Sequence, residues 1–261
     1  MNYEIYRFDK IDSTNSYLLK LGDEGFPEGT VVAADEQLNG RGRFGRKWEA
    51  EPVSNLLFSV LLRPNFLDRD EVFILTFAAA VAVAEALEDA ALVQPELKWP
   101  NDVLLDGKKV CGILLESSFD SDDLDHVVLG IGLNVNQKTF PPEISNRATS
   151  LSSFTGKEFE RDEILFTILS RLSAIYEVLR TRDFHSVMKR WRDRSKMFGK
   201  TIRVRLADKT FEGICDEVAD DGSIVVQTSA GAQKFTSGEI TIFQMSEGPL
   251  SGDPFGTGEI S

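Results

Sequence analysis

The residues with the most evident chemistry lie together at 40–48, reading Gly40-Arg41-Gly42-Arg43-Phe44-Gly45-Arg46-Lys47-Trp48. Four cations, Arg41, Arg43, Arg46 and Lys47, crowd a short stretch of a chain whose formal net charge is -13. Glycine permits positive φ and a close backbone approach to a ligand. Arginine suits a bidentate grip on carboxylate or phosphate oxygens. A glycine-spaced arginine loop ending in tryptophan therefore reads as a flexible clamp on an anion, with a ring available for stacking. The competing reading is a solvated basic surface loop.

Three further segments add to it. Ser13-Thr14-Asn15 stands at an expected helix start, where free backbone N–H groups and small hydroxyls can hold an acceptor or an anion; ordinary helix caps have the same composition. In Lys98-Trp99-Pro100-Asn101-Asp102 a lysine at a strand end precedes a proline-fixed turn and an Asn-Asp pair. Lys98 could neutralise developing phosphate charge. Asp102 is a candidate magnesium ligand, since that ion takes one or two carboxylates plus substrate phosphates; the alternative is a hairpin edge with a solvated acid. In Lys108-Lys109-Val110-Cys111-Gly112-Ile113-Leu114, strict alternation puts Lys109, Cys111 and Ile113 on one face. A lysine among apolar neighbours must reach solvent or meet an anion.

The elements that must carry these groups follow from periodicity and punctuation. Residues 3–8 read as a strand, and 16–21 as a short helix stopped by Gly22. Residues 30–34 and 55–62 read as strands, and 70–89 as a long alanine-rich helix, apolar over most of its surface and so central. Strands at 97–105 and 109–116 are joined by Asp106-Gly107, a strong hairpin signal. Another strand at 127–134 contains Gly130 and Gly132, which allow close backbone approach. After an irregular stretch at 139–160 come amphipathic helices at 162–180 and 184–197. From 201 to 243 short alternating strands, with turns at Asp208, Asp220-Asp221-Gly222 and Gly231, give a small all-β barrel. The expected domains are 1–198 and 199–246, with a disordered tail of Gly, Ser, Pro and acid at 247–261.

Composition sets the outer limits. At 261 residues, 42% hydrophobic and 27% charged, the chain is long enough to bury a real core. A pI near 4.7 argues against nonspecific nucleic-acid binding, so an anion site must be a local positive island. Cys111 and Cys215 have neither zinc nor disulfide spacing, which fits a reducing, cytoplasmic setting. The N-terminus lacks secretory-signal features. The longest apolar run, 72–84, is too short to span a bilayer. His126 and His185 stand without partners at metal or triad spacing and read as structural or surface residues.

Taken together the segments resemble the biotin–protein ligases, also called biotin–[acetyl-CoA-carboxylase] ligases. The family's glycine-arginine motif is matched in full by residues 40–48, and its lysine-tryptophan-proline-asparagine-aspartate motif by 98–102. Ser13-Thr14-Asn15, Gln37, the strand from Lys109 to Leu114, and Gly130-Ile131-Gly132-Leu133-Asn134-Val135-Asn136 fall in the family's order and spacing. The resemblance runs from Ser13 to about Phe243. It implies an α+β fold: a class II synthetase-like catalytic domain, with a mixed, mainly antiparallel sheet and helices, and a C-terminal SH3-like β-barrel. It also implies that Ser13, Thr14, Asn15 and Gln37 line a biotin pocket, with Gly112 beside it. Arg41, Gly42 and Arg43 would fold over biotin and its adenylate, and Lys109 would reach the valerate carboxyl or the attached phosphate. Trp48, Arg46, Asn101 and Asn134 would serve the nucleotide, Asp102 magnesium, and Lys98 would be the catalytic cation beside Arg43 and Lys109.

The implied substrates are biotin and ATP, with Mg2+, and the partner is the biotin carrier domain of a carboxylase. Members with a DNA-binding winged helix carry it before the ligase pattern, which here begins almost at Met1. DNA binding is therefore not expected, nor is a membrane. A monomer or homodimer is expected. Two other readings stay open on sequence alone: a lipoate–protein ligase on the same architecture, and a non-catalytic binding protein on this scaffold.

Overall fold

The computed structural model describes residues 1–120, 123–206 and 209–243. The expected tail at 247–261 and the turn residue Asp208 lie outside them. The chain forms two compact units, Met1–Lys196 with Ala219–Gly222, and Met197–Val218 with the residues from Ser223.

The larger unit is built on one seven-stranded sheet. In chain order its elements are β1 (Glu4–Ile11), α1 (Thr14–Asp23), β2 (Thr30–Gln37), β3 (Leu56–Leu62), α2 (Ile74–Ala91), β4 (Glu96–Lys98), β5 (Asp102–Leu105), β6 (Lys108–Asp120), β7 (Asp123–Leu133), α3 (Leu151–Thr155), α4 (Arg161–Arg180) and α5 (Phe184–Arg192). The spatial order is β1-β2-β3-β7-β6-β5-β4. Among the described strands of this sheet only β1 and β2 are parallel, because α1 carries the chain back between them; the other pairs are antiparallel. β3 is an interior strand, and all seven of its residues are buried. A strand buried on both faces reads as a continuous apolar run, as Leu56-Leu57-Phe58-Ser59-Val60-Leu61-Leu62 does.

One face carries α1. Leu18 and Leu21 pack on Val32, Leu61 and Val128, with Tyr6, Phe8, Ile11 and Phe26 around them. The other face carries α2, which packs against β4, β5, β6 and β7 and is covered in turn by α4 and α5. Its apolar character nearly all round follows: residues 74–84 are buried without a break. The acids near its end meet arginines of α4, of α5 and just beyond it, with Glu85 bonded to Arg190, Glu88 to Arg194 and Asp89 to Arg171.

Three expectations needed correction. Gly22 does not stop α1, which runs to Asp23; a Cβ there would lie 2.3 Å from the His126 Nε2, so the glycine lets the helix settle on that buried ring. Residues 97–105 are two strands: the cis Trp99–Pro100 peptide belongs to a turn that folds β5 back against β4. Strict alternation along β6 also fails. The β5–β6 register slips, with Val103 opposite Cys111 but Leu104 opposite Lys109, so one extra residue is accommodated as a bulge. Cys111 and Ile113 go into the core, whereas the Lys109 side chain comes to the face of Gly112. The Asp106-Gly107 turn has φ of 49° and 73°, as a tight hairpin of this type requires.

The smaller unit holds β8 (Thr201–Leu206), β9 (Lys209–Val218), β10 (Ile224–Thr228), β11 (Gly231–Phe235) and β12 (Glu239–Ile242) in the order β11-β10-β9-β8-β12, all antiparallel. Its core is Ile202, Val204, Cys215, Val218, Ile224 and Val226, and it is a small SH3-like domain. Among the described residues, no helix is long and apolar enough to cross a membrane.

Candidate active site

Glycines on paired strands make a flat floor. Gly112 of β6 is opposite Gly132 of β7, and Leu114 is opposite Gly130. Side chains would foul what lies above them. A Cβ at Gly130 would sit 2.0 Å from the Asn15 Oδ1, and one at Gly132 would sit 2.6 Å from the Trp48 ring. The floor is thus shaped for the N-terminus of α1 at one end and for an indole at the other.

Asn15 and Thr14 are fixed by neighbours. Ser13 accepts from the Ser16 N–H as the N-cap, and all three residues are buried. The Thr14 N–H and hydroxyl both donate to the Gln37 Oε1, at 2.8 and 3.1 Å. Ser59 of β3 donates to the Asn15 Oδ1 at 2.5 Å, and the Asn15 Nδ2 donates to Glu116 at 2.8 Å and to the Leu114 carbonyl at 3.3 Å.

The glycine-arginine loop folds on itself. The Trp48 N–H bonds to the Gly40 carbonyl, and Gly42 to that of Arg46, closing a narrow loop around a 3-10 turn at Arg43–Gly45. Phe44 has φ 57° and Gly45 φ 73°. From this loop Arg41 donates to Glu116 at 2.6 Å, Arg43 to the Asn101 Oδ1 at 3.4 Å, and the Arg46 Nε to the Arg43 carbonyl. Asn101 is held in turn by donating to the Ile113 carbonyl at 2.7 Å.

A charged centre lies at the strand ends. The Lys109 Nζ is 2.5 Å from the Asp102 Oδ1 and 5.4 Å from the Trp48 ring centroid. Burial would raise the Asp102 carboxyl, but the ammonium groups of Lys109 and Lys98 outweigh it and hold the group below the usual carboxylate range. Lys98 is also lowered, which for a lysine favours the neutral form. Burial lowers its proton affinity, and Lys109, Arg147 and Arg46 add like-charge repulsion that Asp102 opposes. Burial also lowers Arg43. Cys111 is fully buried and its thiol is pushed far up by that burial, which leaves it a poor nucleophile as packed. Two buried polar atoms here lack a partner: the Trp48 Nε1 and the Asn134 Oδ1, whose own Nδ2 donates to the Thr149 carbonyl.

The structure therefore gathers the sequence candidates into one place, except that Ser13 is engaged as a cap and Arg46 stays exposed on the loop. The sequence reading missed Ser59, Glu116 and Arg147. Glu116 carries the spacing of two that begins at Gly112, a signal that could have found it. Arg147 is brought near by the Lys109 N–H bonding to its carbonyl, a contact nothing local announces. His126 bonds to Asp125 and His185 to Asp220, the first buried and the second exposed, in keeping with structural and surface roles. A separate cavity of about 320 Å³ is lined by Arg7, Asp35, Arg161 and Asp162, whose charges already pair with one another.

A row of cations next to a glycine floor suits a small carboxylate and a phosphate held side by side, the layout of a ligase domain that activates an acid. The chain belongs to the biotin/lipoate A/B protein ligase family, which matches residues 7–134, while the biotin protein ligase C-terminal domain matches 197–242. It is 35% identical over 244 residues to the bifunctional ligase/repressor BirA of Bacillus subtilis, covering 93% of this chain and 75% of that protein. It is 33% identical to the biotin–[acetyl-CoA-carboxylase] ligase of Paracoccus denitrificans, covering 88% of this chain and 97% of that one. The fold is similar to that of the Aquifex aeolicus biotin protein ligase in complex with biotin and ATP, with TM-score 0.80, 32% identity and coverage of 92% and 99%.

Proposed function

We propose that this protein uses ATP to activate biotin as biotinyl-5′-AMP and transfers the biotinyl group to a lysine of the biotin carrier domain of a carboxylase such as acetyl-CoA carboxylase. The observation that carries the reading is the cluster of Lys98 and Lys109 around Asp102, with Arg43 close enough to feel the same carboxylate, beside a pocket floored by glycine. Residues 1–198 would be the catalytic domain and 199–246 the C-terminal SH3-like domain, residues 244–246 lying outside those described.

In the first step a biotin carboxylate oxygen bonds to the α-phosphorus of ATP, and the bond to the bridging oxygen breaks, releasing pyrophosphate. Two anions must approach each other. Lys98 and Lys109 reduce that repulsion at the reacting atoms, and Arg43 and Arg46 add charge from the loop. In the second step the carrier amine attacks the acyl carbon, AMP departs, and the amine loses a proton to solvent. The enzyme need supply no nucleophile. It must hold a mixed anhydride away from water, the task assigned to the loop from Arg41 to Arg43.

Ser13, Thr14, Asn15, Gln37 and Gly112 are assigned to biotin. Trp48, Asn101 and Asn134 are assigned to the nucleotide. The support is chemical: the unpartnered indole N–H of Trp48 and carbonyl oxygen of Asn134 are a donor and an acceptor that a purine and ribose can satisfy.

Magnesium fits the donor set poorly. Asp102 already binds Lys109 and is flanked by a second ammonium. Asp102 is read instead as the counter-ion of two lysines, and no step is assigned to an ion resident there.

The deciding experiment mixes the protein with ATP, an apo carrier domain and either biotin or lipoate. Biotin-dependent ATP–pyrophosphate exchange and a carrier mass gain of one biotinyl group are expected. Addition of lipoate without addition of biotin would overturn the assignment.

A further inference from the structure

Glu116 is unused by the mechanism above, yet it sits where two parts of the site meet. It is on β6, four residues from Gly112 and on the same face, half-buried with its side chain 26% exposed. Its Oε2 accepts from the Asn15 Nδ2 at 2.8 Å and from the Arg41 guanidinium at 2.6 Å. Asn15 belongs to the pocket end of α1 and is anchored by Ser59 of β3. Arg41 belongs to the glycine-arginine loop. One carboxylate oxygen therefore joins a rigid wall to the segment that must cover the bound intermediate.

We propose that Glu116 is a positioning residue that latches the glycine-arginine loop to the pocket wall, and so sets how long biotinyl-5′-AMP is retained. The inference rests on the biotin-ligase reading for its last clause only; the latch itself rests on geometry. Part of the loop's order is internal: Gly42 to Arg46 and Trp48 to Gly40 are bonds of the loop to itself. The Arg43–Asn101 contact is long, at 3.4 Å. Arg41–Glu116 is short and charge-assisted, so it ranks first among these two. It does not reach the reacting centre, which Lys109 and Asp102 occupy, so its loss should spare the chemistry.

Glu116→Gln separates latch from wall. The amide keeps an oxygen that accepts from Asn15, while the charge that attracts Arg41 is gone. The first measurement needs no substrate. Limited trypsin digestion of the full chain is followed by mass spectrometry at Arg41, Arg43, Arg46 and Lys47. Cleavage there should rise about threefold or more, a size expected for a partly exposed charge pair, with the melting temperature held within about 2 °C. The second measurement is the dissociation rate of biotinyl-5′-AMP, which should rise by a similar factor while single-turnover adenylate formation changes little. A purely structural residue would lower the melting temperature and raise cleavage everywhere. Unchanged cleavage at the loop overturns the latch, whatever the activity. Faster loop cleavage with unchanged adenylate release overturns its role in retention. If wild-type protein forms no adenylate from biotin, the functional reading fails and the digestion still judges the latch.

Discussion

Replacing Gly130 by alanine is the sharpest test of the pocket geometry. In a strand interior, alanine usually replaces glycine at a gain of roughly 0.5 kcal/mol or more. Here the new Cβ would lie 2.0 Å from the Asn15 Oδ1 and 2.8 Å from its Cγ. Ordinary contact is near ~3.4 Å, so the amide must move by about 1.4 Å. That displacement breaks the bond from Ser59, now 2.5 Å, and the one to Glu116, now 2.8 Å. Two lost bonds at about 1 kcal/mol each, plus about 1–3 kcal/mol of overpacking, give about 3–5 kcal/mol. Near the melting temperature this is a drop of very roughly 10 °C for a domain of this size. The assay is thermal and urea unfolding of Gly130→Ala, Asn15→Ala and the double variant. Asn15→Ala alone should cost about 2 kcal/mol. With the asparagine gone the added methyl has room, so the double variant should be no worse than Asn15→Ala. Additive costs across the cycle, or a Gly130→Ala protein as stable as wild type, would refute the close-approach argument.

Lys98→Ala and Lys109→Ala should each slow single-turnover adenylate formation at least tenfold, because each removes a cation at the reacting centre. Arg43→Gly should instead speed adenylate release and label bystander lysines, seen by blotting for biotin on an inert protein. The lowered Lys98 pKa places an alkaline limb on adenylate formation below the ordinary lysine range, and Lys98→Arg should move that limb upward. Between the folded and unfolded values of this lysine, the unfolded chain holds the proton that the folded one releases. This group therefore makes the fold more stable as pH rises through that window, and a flat or rising melting temperature there would separate loss of charge from unfolding. Cys111 and Cys215, both fully buried, the latter thiol pushed up to about 12, should resist iodoacetamide in native buffer and react fully in urea; fast native labelling of either would contradict the packing.

The two long motifs were legible because arginine, glycine, tryptophan and proline have narrow uses, and each motif carries its geometry locally. The glycine floor was legible in part: Gly130 and Gly132 announced a close approach, though not what would approach them. What stayed hidden was set by distant partners. The bulge near Val110 depends on the register with β5, and it turned Lys109 from the core toward Asp102. The split of 97–105 depends on the turn at Pro100 being followed by a strand that pairs backward. Gly22 reads as a stop until a histidine from β7 needs the room. Glu116 is an ordinary acid in an alternating strand, and only the meeting of α1, β6 and the arginine loop gives it two partners.

The order of strands has a consequence for the chain during synthesis. β3 is wholly apolar apart from Ser59, and its pairing partners are β2, already made, and β7, which is not complete until residue 133 has been added. A nascent chain that has emerged only through α2 thus presents one open edge of a largely hydrophobic strand, a template for pairing with another such chain. The same delay holds for the pocket, whose floor is the β6–β7 pair. Until β7 has emerged, ribosome-bound protein can therefore neither bury this edge nor form the pocket floor. Substrate added during translation should not protect it, whereas a chaperone that covers extended apolar segments should.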